Sequence, residues 1–173
     1  LFFLAIIYDS GKNEDGRELC RLSVLTRATA FDQLQGIIPL KCTTEKLCVR
    51  FDDEKRDACS QFIGEDVDFL TLKKSNLEDP LKRNALAQNI SAVVAENMYR
   101  CWEMMGKGKL DLFGKFWDDL GLGGSKDRAT CVVCSRIAFS SGVSSNTELM
   151  ALVDVENYLK THRPDTVSAS YSN

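Results

Sequence analysis

The sequence predicts an α+β fold in which one long central helix packs on a small, mainly antiparallel sheet, with short flanking helices and disulfide bonds. Three observations support this prediction. An amphipathic stretch of helical period occupies the middle of the chain, and short apolar or alternating segments lie on both sides of it. Seven cysteines accompany a single histidine. Helical and strand-like patterns are interspersed without an internal repeat, which is typical of a mixed fold.

The central helix is predicted to begin at Asp79 and Pro80. Asp79 is suited to cap the helix, and Pro80 at the first helical position loses no intrahelical hydrogen bond. Gly106 and Gly108 are natural helix ends. Between these limits the apolar residues recur three and four apart, which predicts one buried helix face. The residues of that face are Leu86, Ile90, Val93, Val94, Met98, Cys101, Trp102 and Met105.

Ahead of the central helix, the sequence predicts a helix over residues 17–31 and then short strands. Residues 37–40 and 47–51 are apolar enough for two strands, and the polar residues 43–46 between them predict a tight hairpin. Residues 67–72 alternate between apolar and polar side chains, which predicts a further strand.

The second half of the chain begins with residues 110–122, whose aromatic side chains predict a short amphipathic helix. Residues 130–140 are the best strand pattern of the sequence because they are apolar and rich in β-branched side chains. Residues 140–146 predict a loop of serine and glycine. Residues 147–161 predict one or two short helices, with Asp154 as a cap.

Composition and charge exclude some classes of function. The 173 residues suit a domain that buries a real core. The formal net charge of −3 leaves no basic stripe that could neutralise phosphates, so we expect no nucleic-acid partner. Residues 52–60 are predicted to be charged and exposed. No arrangement of nucleophile and base points to catalysis, so we expect neither an enzyme nor a bound cofactor.

The cysteines predict a disulfide framework in an oxidising compartment, because histidine is almost absent. An odd number leaves at least one cysteine without a partner in the chain. Cys42 and Cys48 lie at the two ends of the predicted hairpin and are placed to close it. Cys101 is expected to bond with Cys131 or Cys134. The full connectivity stays open among all seven candidates, which are Cys20, Cys42, Cys48, Cys59, Cys101, Cys131 and Cys134.

The pair Cys131 and Cys134 also supports an alternative, a metal-binding or thiol redox module. Both sulfurs of a zinc site must turn toward the ion, whereas residues three apart on a strand point to opposite faces. A redox pair is usually activated at a helix N-terminus, which lowers the pKa of a thiol. A strand provides no such environment, so structural disulfides are favoured and no stoichiometric zinc is expected.

Residues 1–8, from Leu1 to Tyr8, are apolar apart from the tyrosine. As a helix they span about 12 Å, whereas a bilayer requires about 20 residues. Three interpretations stay open: the outer end of a transmembrane helix that continues upstream, a buried strand, or a remnant of a signal peptide. Residues 9–16 predict a polar linker. The predicted organisation is therefore an apolar segment and linker over residues 1–16, followed by one α+β cysteine-containing domain over residues 17–173.

Several motifs carry a resemblance to a known family. The sequences RCW at 100–102, GKGKLDLFG at 106–114 and CVVCSRI at 131–137 resemble an uncharacterised family of single-pass membrane proteins from small-genome archaea of the DPANN group. CRLSV at 20–24 and LKCTTEKLC at 40–48 fit the same pattern. The resemblance implies an N-terminal transmembrane helix, most of which is missing here, and a cysteine-containing domain outside the cytoplasm. It supplies no activity and no catalytic residues.

These observations predict a non-enzymatic, membrane-anchored, extracytoplasmic structural or interaction protein, as a subunit of a cell-surface assembly. The expected location is the cell membrane, with the domain on the extracytoplasmic side. The expected partners are the lipid bilayer or another protein chain, bound through residues 1–8, and further copies of the chain in a homo-oligomer. The alternative is the metal-binding or thiol redox module at Cys131 and Cys134.

Overall fold

The computed structural model describes residues 14–30, 38–62, 65–110 and 132–162. In chain order these residues form α1 (Glu14–Thr29), β1 (Glu45–Phe51), β2 (Asp68–Leu72), α2 (Pro80–Met104), β3 (Ser135–Phe139), α3 (Ser141–Ser144), α4 (Thr147–Met150) and α5 (Val155–Thr161), with 3₁₀ turns at Ser60–Phe62 and Lys74–Leu77. They fall into two compact units. The first unit contains residues 14–30, 38–44, 101–110 and 132–134, and the second contains residues 45–62, 65–100 and 135–162.

The sheet of the second unit has three strands in the order β2-β1-β3, and both pairings are parallel. The prediction of a mainly antiparallel sheet is therefore wrong. The predicted hairpin does not form, because residues 38–44 contain no strand and β1 pairs with two later segments. Parallel neighbours require long crossover connections. The chain supplies one in residues 52–67 and another in the segment that contains α2.

One face of the sheet forms the main core of the second unit. Side chains alternate across a strand, so Val49 and Phe51 of β1 point to this face, together with Leu72 of β2. They pack against Leu86, Ala87 and Ile90 of α2 and against Val143 and Leu149 of the short helices. Burial of each large apolar side chain contributes about 1.5–3 kcal/mol, so this cluster is the main source of stability for the unit.

The central helix is confirmed as α2, which is 25 residues long. The Asp79 carboxylate accepts hydrogen bonds from the backbone N–H groups of Leu81, at 2.9 Å, and Lys82, at 3.4 Å, so it caps the helix as predicted. Beyond Met104 the chain turns through Gly106 and Gly108, whose φ angles are 81° and 70°. This left-handed conformation is open to glycine at no steric cost, which explains why the helix ends here.

The buried face of α2 agrees with the predicted face only in its first half. Leu86 and Ile90 are buried, and the small residues Ala87, Ser91, Ala92 and Ala95 complete the buried surface. Met98 and Trp102, predicted to be buried, are 54% and 50% exposed. Apolar periodicity marks one stripe of a helix, but the position of the sheet decides how much of that stripe is covered.

The first unit has a small core around the first disulfide. Cys20 and Val24 of α1 are buried, and Leu40, Cys42, Met104, Met105 and Leu110 pack against them. The hydroxyl of Ser23 donates to the Cys20 carbonyl and accepts a hydrogen bond from the N–H of Lys41 at 3.0 Å. Helix α1 begins at Glu14, within the predicted linker, and ends at Thr29.

The short C-terminal helices follow local capping chemistry. Residues 147–161 form α4 and α5 as predicted, and Asp154 caps α5 by accepting the N–H of Asn157 at 2.9 Å. Residues 141–144, predicted as loop, form α3 instead. The Ser140 hydroxyl accepts the N–H of Val143, so a serine that indicates a loop acts here as a helix cap.

Two predictions bear on segments outside the described residues. The amphipathic helix at residues 110–122 lies almost entirely outside them, as do residues 1–8. Within the part of the chain that the structure describes, no helix is both long enough and apolar enough to cross a membrane.

Candidate functional site

Three disulfides join six of the seven candidate cysteines: Cys20–Cys42, Cys48–Cys59 and Cys101–Cys134. The expected bridge from Cys101 to the segment of Cys131 and Cys134 is present. The expected closure of Cys42 onto Cys48 is wrong, because the hairpin that would bring them together does not form. The seventh cysteine, Cys131, lies outside the described residues.

The Cys101–Cys134 disulfide bears on the metal-binding alternative. A cysteine binds a metal ion as a thiolate, and a cysteine within a disulfide has no thiolate. Cys134 is also buried, at 7% exposure. In residues 14–30, 38–62, 65–110 and 132–162, no group of three or more histidine, cysteine or carboxylate side chains is arranged to hold a metal ion.

A partly buried carboxylate joins the carboxyl ends of β1 and β3. Oε2 of Glu54 accepts hydrogen bonds from the backbone N–H of Phe51, at 2.8 Å, and from the Ser140 hydroxyl, at 2.5 Å. Its Oε1 accepts the N–H of Gly142 at 3.2 Å. We call these four residues the Glu54 junction. A backbone hydrogen bond also joins the two strand ends, since Ser140 donates its N–H to the Val49 carbonyl at 2.9 Å.

The Glu54 junction is suited to structure rather than to chemistry. Both carboxylate oxygens are engaged by donors of the protein itself, so neither is presented to a substrate. The sequence does not indicate this junction, because Glu54 lies in the segment 52–60 that composition predicts to be exposed. Its partner Ser140 is 86 residues away along the chain. No local signal in the sequence pairs two residues at that separation.

The opposite face of the sheet is covered by the second disulfide. Cys48 of β1, Cys59, Phe62 and Ala138 form a small buried cluster there. The Cys59 sulfur lies 3.6 Å from the Ala138 carbonyl oxygen. Because a disulfide sulfur carries no hydrogen, this is a packing contact. The bridge fixes the long connection between β1 and β2 against the sheet.

Around this cluster, three basic side chains of the face are held by neighbours. The Arg50 guanidinium lies over the Phe69 ring, 5.2 Å from its centre, and that of Arg136 lies over the Phe62 ring at 5.1 Å. Lys46 forms an ion pair with Glu65. The hydrogen bond from Lys46 and its charge lower the pKa of the Glu65 carboxyl, with a further contribution from the charge of Arg136.

A pocket of about 390 Å³ opens beside β2 on the same face. The Cys48–Cys59 disulfide and the side chains of Phe62, Val67 and Phe69 provide its apolar wall. Four charged residues complete the lining: Arg56, Asp57, Glu65 and Asp66. An apolar wall with a charged rim is typical of a binding surface, but a nucleophile with an adjacent base is not part of this lining.

The pocket adjoins an unpaired edge of the sheet. Among the described residues β2 pairs with β1 alone, so its outer side carries no neighbouring strand. Phe69 is 40% exposed at this edge, and Asp68 and Thr71 are also exposed. We call residues 66–73 the β2 edge. Unpaired N–H and C=O groups of an edge strand are a template for pairing with another strand.

Comparison with known proteins identifies no relative of this chain. No protein-family model, no curated protein and no solved structure matches this chain.

Proposed function

We propose that the protein is a membrane-anchored, extracytoplasmic interaction protein that serves as a subunit of a cell-surface assembly and is not an enzyme. The observation that carries this proposal is the set of three disulfides. Structural disulfides persist in oxidising compartments and are rare in a reducing cytosol. The Cys48–Cys59 bridge is almost fully buried, with both cysteines at most 4% exposed, and Cys20 of the first bridge is 2% exposed, which is the environment of stable structural bridges.

The anchoring part of the proposal rests on residues 1–8. Six large apolar side chains occur in this segment, and leaving each in water costs on the order of 1.5–3 kcal/mol. A run of this kind requires an apolar partner. The charged and glycine-containing residues 9–13, which separate it from α1, favour an external partner, a lipid bilayer or another chain.

The interaction part of the proposal rests on the β2 edge and its pocket. Backbone groups of an edge strand provide affinity for an extended segment, and pockets beside the strand provide selectivity for side chains. The partly exposed Phe69 and the apolar wall of the pocket lie together at this edge. Such a surface suits recognition of a protein partner.

Flotation with lipid vesicles tests the anchor. The full chain is expected to float with the vesicles, and a variant lacking residues 1–12 is expected to stay in solution with a nearly unchanged melting temperature. A matched control keeps the length and changes Phe3→Asp and Ile6→Asp, which should abolish flotation in the same way. A deletion variant that does not fold would identify residues 1–8 as a core strand and contradict the anchor.

The compartment has a separate test. The chain, expressed with a secretion signal and without one, is alkylated in intact cells before lysis. The three disulfides are expected only in the exported protein. Full oxidation of the protein in a reducing cytosol would contradict the compartment argument, because the disulfides would then form without an oxidising environment.

A further inference from the structure

We propose that the β2 edge binds a second copy of this chain, by antiparallel pairing of the two β2 strands about a two-fold axis at Leu70. The inference deepens the proposed function, on which it rests, because it names the partner of the interaction surface. Joining the two edges would make one continuous six-stranded sheet from the two copies.

The backbone of β2 presents hydrogen-bonding groups in the required direction. Leu72 accepts the N–H of Asp52, at 2.9 Å, so its carbonyl points toward the β1 side. In a parallel strand the N–H and C=O of one residue point to the same side, and successive residues alternate. The N–H and C=O of Leu70 therefore also point toward β1. Those of Phe69 and Thr71 point outward, away from β1, and no backbone group of the described residues is paired with them.

This arrangement is self-complementary. With Leu70 on the two-fold axis, Phe69 of each copy lies opposite Thr71 of the other. The two residues of such a pair exchange both N–H to C=O bonds, which gives four hydrogen bonds across the axis. The two Leu70 residues face each other as a pair without hydrogen bonds. A two-fold interface requires this reciprocity, in which residue i meets residue j and j meets i.

The charges of the β2 edge favour the antiparallel direction. Asp66 and Asp68 precede the centre of the edge, Lys73 follows it, and Lys74 comes directly after the edge. Pairing about Leu70 sets Lys73 opposite Val67, which lies between Asp66 and Asp68 of the other copy, and Lys74, at the start of the following 3₁₀ turn, comes near the same acidic end. Parallel pairing would set carboxylates against carboxylates. Like charges directly opposite destabilise a strand pair, whereas opposite charges stabilise it.

Three of these four charges are available for an external partner. Asp66, Asp68 and Lys73 are exposed and form no ion pair within the described residues. Lys74 pairs with Asp53 at the surface, with Nζ and Oδ2 2.6 Å apart. Lys73 has an extended backbone, with φ −75° and ψ 111°, so the edge continues to this residue. The other edge strand, β3, carries only Arg136, which lies over Phe62 and offers no complementary pattern.

A strand pair of this length buries less surface than a standard protein interface, so the isolated contact is expected to be weak. Anchoring both copies in one membrane raises their effective concentration and converts a weak contact into a populated dimer. The proposed anchor and the β2 edge therefore act together. The test is accordingly made on membrane-bound, full-length protein.

Energy transfer between copies on vesicles of a zwitterionic lipid tests the proposal. One population of the full chain carries a donor dye at its C-terminus and the other an acceptor dye. The first variant is Asp66→Lys with Asp68→Lys, and the second is Lys73→Glu with Lys74→Glu. Each variant alone is expected to lose the transfer signal, with a dissociation constant raised at least about tenfold by like-charge contacts. A mixture of the two variants is expected to recover it.

Two further variants make the result specific. Thr71→Pro removes an outward N–H and leaves the bonds to β1 in place, so it should lose transfer and keep its melting temperature. Lys82→Glu with Lys160→Glu changes the same number of charges elsewhere and should behave as wild type. The proposal is overturned if the wild-type copies show no transfer, if the charge variants associate like wild type, or if their mixture does not recover transfer. Vesicle flotation is scored in the same samples, so loss of anchoring is distinguished from loss of pairing.

Discussion

The carboxylate of Glu54 accepts a hydrogen bond from the Ser140 hydroxyl over 2.5 Å, although 86 residues separate them along the chain. Ser140 follows β3 directly and is fully buried, and Glu54 follows β1 by three residues. The bond therefore fixes the carboxyl ends of two adjacent parallel strands to each other. Parallel neighbours have no tight turn to hold them in register, and this side-chain contact supplies part of that function.

Glu54→Ala is expected to lower the free energy of unfolding by about 2–3 kcal/mol, because three donors lose their acceptor in a poorly solvated site. Chemical denaturation followed by circular dichroism measures the change. Lys55→Ala, at the exposed neighbouring position, is the matched control and should stay within about 0.5 kcal/mol of wild type. Equal stability of the two variants would show that the Glu54 junction contributes nothing to the fold.

Gly142→Ala tests the same junction from its backbone side. A Cβ atom at this position would lie 2.7 Å from Oε1 of Glu54 and 3.4 Å from Cδ2 of Phe51. We expect destabilisation, because the carboxylate is held by three hydrogen bonds and cannot move away without losing them.

A double-mutant cycle with Glu54→Ala identifies the cause. If the carboxylate is the obstacle, Gly142→Ala costs less in the Glu54→Ala background, and the two changes are not additive. Additive effects would show instead that the cost of Gly142→Ala arises elsewhere in α3.

The disulfide connectivity is open to direct measurement. Alkylation of the unfolded, unreduced protein is expected to modify one cysteine out of seven, because three disulfides occupy the other six. Peptide mapping should recover Cys20–Cys42, Cys48–Cys59 and Cys101–Cys134, and the alkylated residue should be Cys131. A peptide that joins Cys42 to Cys48 would contradict the parallel sheet, since these residues meet only in the hairpin arrangement.

Local chemistry explains which elements the sequence could predict. The cap at Asp79 and the turn at Gly106 define α2, and the cap at Asp154 defines α5, because each depends on residues a few positions apart. The strand at residues 67–72 is also encoded locally, by alternation. These signals give the type and position of an element and do not depend on the rest of the chain.

Strand direction is a tertiary property and could not be predicted in the same way. Leu47 and Val49 have the same alternating pattern whether β1 pairs with a preceding or a following segment. The two apolar segments around Cys42 and Cys48 therefore indicated a hairpin. The disulfide from Cys48 to Cys59 instead holds the crossover segment that makes parallel pairing feasible.

The candidate site was harder to predict than the fold. The disulfide candidates could be predicted from composition. A bridge from Cys101 to Cys131 or Cys134 could be predicted from the expected contact of helix and strand, and the structure forms it with Cys134. The Glu54 junction and the edge position of β2 depend on contacts between distant segments. Phe69 illustrates this, since its exposure follows from the place of β2 at the outside of the sheet and not from its own pattern.

The ion pair between Lys46 and Glu65 predicts a specific dependence on pH. The hydrogen bond and charge of Lys46, with the charge of Arg136, hold the pKa of the Glu65 carboxyl below its ordinary value of 4.5, although partial desolvation acts in the opposite direction. A carboxyl with a lowered pKa in the folded state stabilises the fold above its unfolded pKa. That contribution is lost as the pH falls below about 4.5 and through the folded-state pKa of Glu65.

Lys46→Gln removes the charge and keeps a side chain of similar polarity at this position of β1. The pKa of Glu65 is expected to rise toward 4.5, as measured by nuclear magnetic resonance titration of the side-chain carboxyl. The fall in the free energy of unfolding at acidic pH should then lose the part that follows the titration of Glu65. Lys55→Gln removes an exposed charge without a carboxylate partner among the described residues and should leave the Glu65 titration unchanged. An unshifted Glu65 pKa in Lys46→Gln would show that the ion pair does not persist in solution.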